Sequence, residues 1–422
     1  MRYDPYRRLA ALILAEGCGS TGIEACIQKA LKGRKSKSAS IAREIQEHWV
    51  WPYPPSEASL AALLRRSATS NPRDIPLCFS PAAARPLVHE GLPELETPPA
   101  LADWLDLNQS ELYWFADCED RRARDPDRRG HYTQIWLRKR GGGIRLVEAP
   151  LPRLKALQRR VLRELLDHVP PHPDSFGFVR GRDCRGAAIR HTGEDVVIRY
   201  DLRDFFPSVP ARRVHAIFRT IGYGPSVARL LTGLVTTRSP ADAVLSLEPN
   251  RRPEYRAAHL PQGAPTSPTL ANLAAWSLDQ RLSGLARRLG ANYARYADDI
   301  TLSGPRALAF EGAVPVTEIV GEIVRDCGFR LNRQKTRVQR RGNRQTVTGV
   351  VVNAHLNVPR PEFDRLKAIL TNAIRHGAAA QNRDQHADFR AHLEGRIGWV
   401  AGLNPRRAEK LYALFDRIDW TL

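Results

Sequence analysis

Apolar residues recur along this chain with either the helical or the strand period. One apolar helical face predicts a helix over residues 152–169. An apolar run at residues 196–200 predicts a buried strand, and residues 291–304 read as a strand, a tight turn and a second strand. Helical periodicity near the carboxyl terminus predicts a bundle over residues 363–376, 389–401 and 405–420.

Another strand–turn–strand pattern, at residues 131–150, surrounds three consecutive glycines. Basic residues flank this glycine turn, so a hairpin here is able to grip a triphosphate. An ordinary soluble sheet edge has the same composition, and both interpretations stay open. The flanking basic residues are Arg138, Lys139, Arg140 and Arg145.

The composition of the chain indicates a nucleic-acid partner. The 422 residues carry a formal net charge of +20, spread along the chain, with a pI near 10.2. Phosphate contacts supply most nucleic-acid affinity, so this charge indicates a polyanionic partner. No apolar run approaches the roughly 20 residues that span a bilayer, and the first residues lack a secretory signal core. The six scattered cysteines form no CxxC pair, and we expect a cytoplasmic protein with no membrane partner.

Acidic residues stand at two of the predicted strand ends. Asp201 follows the apolar run, and Asp298 and Asp299 occupy the tight turn. If the two strands are neighbours, three carboxylates converge and are able to hold two Mg²⁺ ions, which activate a hydroxyl nucleophile and stabilise a pyrophosphate leaving group. A solvated Asp-Asp turn is the alternative interpretation of the dipeptide alone.

Three segments in this order resemble the palm motifs of bacterial retron-type reverse transcriptases. They are Asp-Leu-Arg-Asp-Phe-Phe-Pro at residues 201–207, Leu-Pro-Gln-Gly-Ala-Pro-Thr-Ser-Pro at residues 260–268 and Tyr-Ala-Asp-Asp at residues 296–299. The Val-Thr-Gly triplet at residues 347–349 is typical of retron enzymes. Residues 186–193 resemble their Asn-Ala-x-x-His signature, although Ala187 replaces the asparagine. The resemblance extends from about residue 95 to the carboxyl terminus.

The resemblance implies an α+β fold, that of a right-hand polymerase with an antiparallel palm sheet, β-hairpin fingers, a helical thumb and a helical amino-terminal extension. It implies three parts along the chain: an extension and linker over residues 1–90, fingers and palm over residues 91–340, and a primer-grip region with the thumb over residues 341–422.

The resemblance also implies roles for single residues. Asp201, Asp298 and Asp299 would be the catalytic metal ligands, with the Leu202 carbonyl completing one metal shell. The ring of Phe206 would exclude a ribose 2′-hydroxyl. The other expected nucleotide contacts are Lys139, Arg145, Gln262 and Lys335. The expected RNA contacts are His191, Val347, Thr348 and Gly349. A structural histidine and an ordinary exposed lysine stay open as alternatives for His191 and Lys335.

The implied activity is RNA-directed DNA polymerisation from deoxynucleoside triphosphates. The template would be a cognate structured noncoding RNA, primed from one of its own 2′-hydroxyls to give a branched RNA–DNA hybrid (msDNA). Such systems serve anti-phage defence together with an effector protein. The alternatives are a defence-associated reverse transcriptase without a branched product and a noncatalytic RNA-binding scaffold.

Overall fold

The computed structural model describes most of the chain from residue 91 onward, together with two helices and five single residues before it. The described residues are 6, 9, 10, 13, 27, 35–48, 57–67, 91–118, 130–138, 144–309 and 315–420. They form two compact units, each assembled from distant parts of the sequence. Unit 1 comprises Met1–Pro173, Leu202–Arg281 and Ile319–Leu331. Unit 2 comprises Asp174–Asp201, Leu282–Glu318 and Asn332–Leu422. The three-part division along the chain stays a prediction.

The helices and strands follow one another in a mixed order. The helices are α1 (Lys35–His48), α2 (Glu57–Ser67), α3 (Pro98–Trp104), α4 (Gln109–Ala116), α5 (Pro152–Glu164), α6 (Cys184–Ile189), α7 (Ala211–Ile221), α8 (Pro225–Val235), α9 (Arg252–Arg256), α10 (Ser267–Ala274), α11 (Trp276–Arg288), α12 (Val316–Asp326), α13 (Arg360–His376), α14 (Phe389–Ala401) and α15 (Pro405–Phe415). The strands are β1 (Tyr132–Arg138), β2 (Ile144–Pro150), β3 (Val196–Asp201), β4 (Asn292–Tyr296), β5 (Asp299–Gly304), β6 (Arg337–Arg340), β7 (Thr346–Val347) and β8 (Val350–Val351). Among the described residues, no helix combines the length and the apolar character needed to cross a bilayer.

Unit 1 contains the predicted basic hairpin. β1 and β2 pair antiparallel along their whole length, from Tyr132 opposite Pro150 to Arg138 opposite Ile144. This confirms the two strands, while the glycine turn between them lies outside the described residues. α5 follows directly and begins with a proline at its first turn, where the missing amide hydrogen costs nothing. Its buried face is the apolar face predicted from the sequence.

Unit 2 contains a four-stranded antiparallel sheet in the order β4-β5-β3-β6. β3 lies between β5 and β6, and its successive residues are buried on both faces of the sheet, which explains its nearly continuous apolar run. The predicted carboxyl-terminal bundle is confirmed as α13, α14 and α15. These helices share one apolar core with β3 and with the β7–β8 hairpin, including Val197, Val347, Val350, Leu366, Leu393 and Leu411. The sheet and the bundle therefore pack as one body within unit 2.

Candidate active site

The acidic residues of unit 2 converge at one end of its sheet. β3 and β5 are antiparallel neighbours, and their register places Asp201 directly opposite Asp299. The amide of Asn332 donates a 2.8 Å hydrogen bond to the carbonyl of Asp201, which holds the end of β3 from its other side. The structure thus confirms that the two acidic strand ends meet, the condition on which the predicted site depended.

The turn that carries Asp298 has a strained backbone. β4 and β5 are joined by only Ala297 and Asp298, and Ala297 has a positive φ of 57°. A non-glycine residue in this conformation costs on the order of 1 kcal/mol and persists only where its surroundings hold it. A Cβ on Gly177 would come within 2.4 Å of the Ala297 nitrogen, so the neighbouring loop packs directly against the turn. The fully buried guanidinium of Arg295 donates to the Ala297 carbonyl at 2.9 Å.

Crowded negative charge distinguishes this end of the sheet. Burial, followed by the charges of Asp299 and Asp201, raises the pKa of Asp298 to about 6. Burial also raises the pKa of Asp299, although the nearby Arg199 guanidinium opposes the shift. These carboxylates are held in a costly charged arrangement, which is typical of a functional site.

Two cations partly neutralise these acids. The Lys335 ammonium lies 2.8 Å from an Asp201 oxygen, and an Arg199 nitrogen lies 3.4 Å from an Asp299 oxygen. The Lys335 side chain is 55% exposed, whereas that of Asp201 is 11% exposed, so the lysine approaches from the solvent side. A cleft of about 310 Å³ opens at this position, lined by Arg199, Tyr200, Asp201, Asp299, Lys335 and Arg337. All of these residues belong to unit 2.

The acids have the right chemistry for a hard divalent cation, since Mg²⁺ prefers carboxylate oxygens. Over the described ranges, however, no three Asp, Glu, His or Cys side chains are arranged to hold an ion as they stand. Asp201 is instead paired with Lys335, and Asp299 with Arg199.

The residues predicted to contact the nucleotide are distributed over both units. Lys335 belongs to unit 2, at the cleft. The other predicted nucleotide contacts that the structure describes belong to unit 1, and they are Arg145, Phe206 and Gln262. Arg145 is exposed on β2, and Phe206 is half-buried with its ring 5.6 Å from that of Phe205. Gln262 is also half-buried, and its carbonyl accepts a 2.9 Å hydrogen bond from the Glu148 amide. Lys139 lies outside the described residues.

Leu202, the predicted carbonyl ligand, is buried next to the end of β3. It forms an isolated antiparallel bridge with Leu331. This bridge fixes the backbone direction where the chain leaves the catalytic strand. Its role as a metal ligand stays a prediction.

The Val-Thr-Gly triplet forms the turn of the β7–β8 hairpin. Val347 is buried, while Thr348 and Gly349 are the two loop residues and have positive φ angles of 49° and 87°. Two-residue hairpin loops with both φ angles positive match the twist of the strands, and glycine suits the second position. Thr348 is β-branched and strained there, and its hydroxyl donates to the Cys184 carbonyl at 3.2 Å. Gly349 is exposed. Contact of this turn with RNA stays a prediction.

His191 lies inside unit 2. It has no exposed surface, and its Nδ1 lies 2.7 Å from the Ser303 hydroxyl. Burial lowers the pKa of His191 to about 3, so the ring is neutral at physiological pH. The buried position agrees with the structural-histidine interpretation, and a direct RNA contact would require unit 2 to open.

Comparison with known proteins agrees with this geometry. A family model described as "Reverse transcriptase (RNA-dependent DNA polymerase)" matches residues 137–358, which contain all three acidic residues of the site. The retron Mx65 reverse transcriptase of Myxococcus xanthus is 42% identical over 335 residues, covering 77% of this chain and 72% of that protein. The chain belongs to the retron reverse transcriptases. It is an RNA-directed DNA polymerase with the corresponding polymerase fold, and enzymes with this domain use divalent metal ions.

Other comparisons differ in strength. The retron Mx162 reverse transcriptase of Myxococcus xanthus is 41% identical over 346 residues, covering 78% of this chain and 69% of that protein. Telomerase from Candida albicans, solved with a fragment of telomeric RNA, has a TM-score of 0.38 and 9% identity over 67% of this chain and 59% of that chain. The telomerase similarity is too weak to support an argument.

Sequence reasoning missed two basic residues of this retron reverse transcriptase site. Arg199 lies two positions before Asp201 on the same face of β3, and this strand period is the signal that points to it. Arg295 stands between Ala294 and Tyr296 in β4. The neighbouring sequence does not distinguish an arginine that is buried under the β4–β5 turn from an arginine that faces solvent.

Burial of His191 predicts a pH dependence of stability. The folded pKa lies below the ordinary value of 6.5, so the stabilisation is complete above pH 6.5 and is lost as the pH falls toward about 3. Over this window the unfolded chain binds one proton more at this position. We expect the unfolding free energy of the wild type to fall, relative to His191→Asn, by about 1.4 kcal/mol per pH unit. Denaturant titrations between pH 7 and pH 4.5 measure this difference. If the unfolding free energies of the wild type and His191→Asn change in parallel with pH, His191 binds the proton in the folded protein as well.

Proposed function

We propose that this chain copies a structured noncoding RNA encoded with it and starts DNA synthesis at a 2′-hydroxyl of that RNA. The product is a branched RNA–DNA molecule (msDNA), and the system serves anti-phage defence together with an effector protein. The observation that carries the catalytic part is the register of β3 and β5, which sets Asp201 opposite Asp299 with Asp298 in the adjoining turn. The retron part is supported by the names of the two Myxococcus xanthus relatives.

In this proposal Asp201, Asp298, Asp299 and the Leu202 carbonyl would hold two Mg²⁺ ions. Such ions would supply activation of the primer hydroxyl and charge stabilisation of the pyrophosphate leaving group. The primer oxygen attacks the α-phosphorus in line, and the bond from that phosphorus to pyrophosphate breaks. Lys335 donates a proton to the leaving pyrophosphate or neutralises it. Most of the rate enhancement comes from positioning and charge compensation.

Selection of the nucleotide is assigned to side chains of unit 1. Arg145, together with Lys139, neutralises the triphosphate. The ring of Phe206 lies under the sugar and excludes a ribose 2′-hydroxyl, and the Gln262 amide contacts the incoming nucleotide. Support comes from the motifs that contain these residues and, for Gln262, from the hydrogen bond that ties its backbone to β2.

The remaining parts follow the right-hand polymerase plan. The four-stranded sheet is the palm, the β1–β2 hairpin belongs to the fingers, and α13, α14 and α15 form the thumb. The turn at Thr348 and Gly349 contacts the cognate RNA. This assignment is supported by the exposure of Gly349, by the strained backbone of the half-buried Thr348 and by the anchoring of the flanking strands in the core. The helical extension over residues 1–90 docks the effector or the RNA.

The nucleic acid that accompanies the enzyme tests this proposal. The protein is purified from cells that carry its surrounding locus, and the bound nucleic acid is treated with ribonuclease or with debranching enzyme and then sequenced. We expect DNA joined to RNA through a 2′–5′ linkage that debranching enzyme removes. The matched control is Asp299→Asn, which should copurify with the RNA but without DNA. Unbranched DNA would point to a defence enzyme without msDNA, and RNA alone in the wild type would point to a scaffold.

A further inference from the structure

A buried carboxylate in unit 1 holds the loop that carries Gln262. Glu148 on β2 has no exposed surface, and both of its oxygens are bonded. The Ser239 hydroxyl donates to one oxygen at 2.7 Å, and Nε2 of His259 lies 2.9 Å from the other. His259 is also completely buried. The proposed catalytic steps use none of these three side chains.

The second nitrogen of His259 fixes the orientation of the ring. Its Nδ1 lies 2.7 Å from the Ala257 carbonyl, which only accepts, so Nδ1 carries a hydrogen. Nε2 then either donates to a Glu148 carboxylate or accepts from a Glu148 carboxylic acid. In both protonation states the ring is bonded at both ends. The backbone of His259 is also fixed, by a reciprocal pair of 2.9 Å hydrogen bonds with Thr237.

The same glutamate binds the loop through its backbone. The Glu148 amide donates to the Gln262 carbonyl at 2.9 Å. Gly263 has a φ of 138°, and a Cβ there would come within 3.0 Å of the Glu148 carbonyl oxygen. β2 therefore holds the loop at His259 through a side chain and at Gln262 through the main chain. Arg145 lies on this same strand, three residues before Glu148.

A second set of contacts continues to the segment that carries Phe206. The ring of Tyr255 packs edge-on against that of His259, with 5.5 Å between centroids. Its hydroxyl lies 3.4 Å from a carboxylate oxygen of Asp204, which accepts two hydrogen bonds from Arg251. Asp204 has a positive φ of 47° and stands two residues before Phe206. One chain of buried and partly buried contacts thus joins the three segments that carry the proposed nucleotide contacts of unit 1.

A fully buried carboxylate is costly, and apolar side chains of similar volume often stabilise a fold as well or better. We propose that Glu148, His259 and Ser239 are positioning residues that hold Gln262 at the incoming nucleotide. This inference rests on the proposed contact of Gln262 with the nucleotide. Misplacing such a contact weakens nucleotide binding while leaving the carboxylates of unit 2 unchanged.

The test compares two substitutions of the same residue by steady-state primer extension. Glu148→Leu removes the acceptor from Ser239 and the partner from His259. Glu148→Gln keeps every bond, because its amide donates to Nε2 and its carbonyl accepts from Ser239. We expect Glu148→Leu to raise the KM for deoxynucleotides about tenfold with a much smaller change in kcat, and Glu148→Gln to remain near the wild type. Ser239→Ala is a milder second variant in case Glu148→Leu does not fold. We expect it to raise the KM for deoxynucleotides about threefold.

Two controls separate positioning from general destabilisation. Gln158 is also completely buried and bonded, to the Leu234 carbonyl and the Tyr132 hydroxyl, so Gln158→Leu should lower Tm without changing KM. Combining Glu148→Leu with Gln262→Asn should add little to the effect of Gln262→Asn alone, because both act on one contact. An unchanged KM in Glu148→Leu, or full additivity with Gln262→Asn, overturns the positioning role. An unchanged KM in Gln262→Asn alone overturns the nucleotide contact itself.

Discussion

Replacing Asp298 with asparagine is expected to lower the rate of primer extension by about three orders of magnitude, or about 4 kcal/mol of transition-state stabilisation. The substitution keeps the shape of the turn but removes one of three converging carboxylates. Single-nucleotide extension on an RNA template with Mg²⁺ measures the effect, with template affinity determined in parallel. Affinity for the template should change little.

Stability measurements show whether the lower extension rate of Asp298→Asn comes from the missing carboxylate or from a destabilised fold. The pKa of Asp298 is raised, so its ionised form destabilises the fold above about pH 6, and asparagine should leave Tm at pH 8 equal or higher. The matched control is Asp195→Asn, which removes an acid just before β3, where Asp195 pairs with Arg341 at 3.5 Å. This control should extend primers normally. Wild-type rates in Asp298→Asn would remove this residue from the catalytic set.

Replacing Phe206 with alanine is expected to reduce the preference for deoxynucleotides over ribonucleotides by about 10- to 100-fold. Exclusion by a side-chain ring is a steric effect of about 1–3 kcal/mol, and alanine leaves room for the extra hydroxyl. Phe206 is half-buried, and its ring centroid lies 5.6 Å from that of Phe205. The ratio of kcat/KM for a deoxynucleotide and its ribonucleotide partner measures the preference.

Phe206→Tyr is the matched variant for this second prediction. It keeps the ring, so its preference for deoxynucleotides should equal that of the wild type. A deoxynucleotide preference that is the same in alanine, tyrosine and wild-type enzymes would assign sugar selection to another residue. A loss in both variants would indicate that the hydroxyl of tyrosine disturbs the segment.

Local patterns predicted the elements of the site well. The strand period and the acids at the strand ends indicated β3, β4 and β5 with their turn, and helical periodicity indicated α5 and the carboxyl-terminal bundle. These predictions succeed because period, glycine content and turn chemistry act over a few neighbouring residues. The backbone conformation of this turn is the exception, because the positive φ of Ala297 occurs where the loop at Gly177 packs against it.

By itself, the sequence determined which residue types stand at the strand ends and in the turn, and therefore which chemistry this end of the sheet is able to perform. Only the tertiary structure decided that Asp201 lies opposite Asp299, that Lys335 and Arg199 partner these acids, that His191 is buried, and that Glu148 and His259 hold the Gln262 loop. The physical reason is separation along the chain. The partners in these contacts come from distant segments, and a side chain's choice among distant partners depends on register and burial, which leave no periodic signal in the sequence.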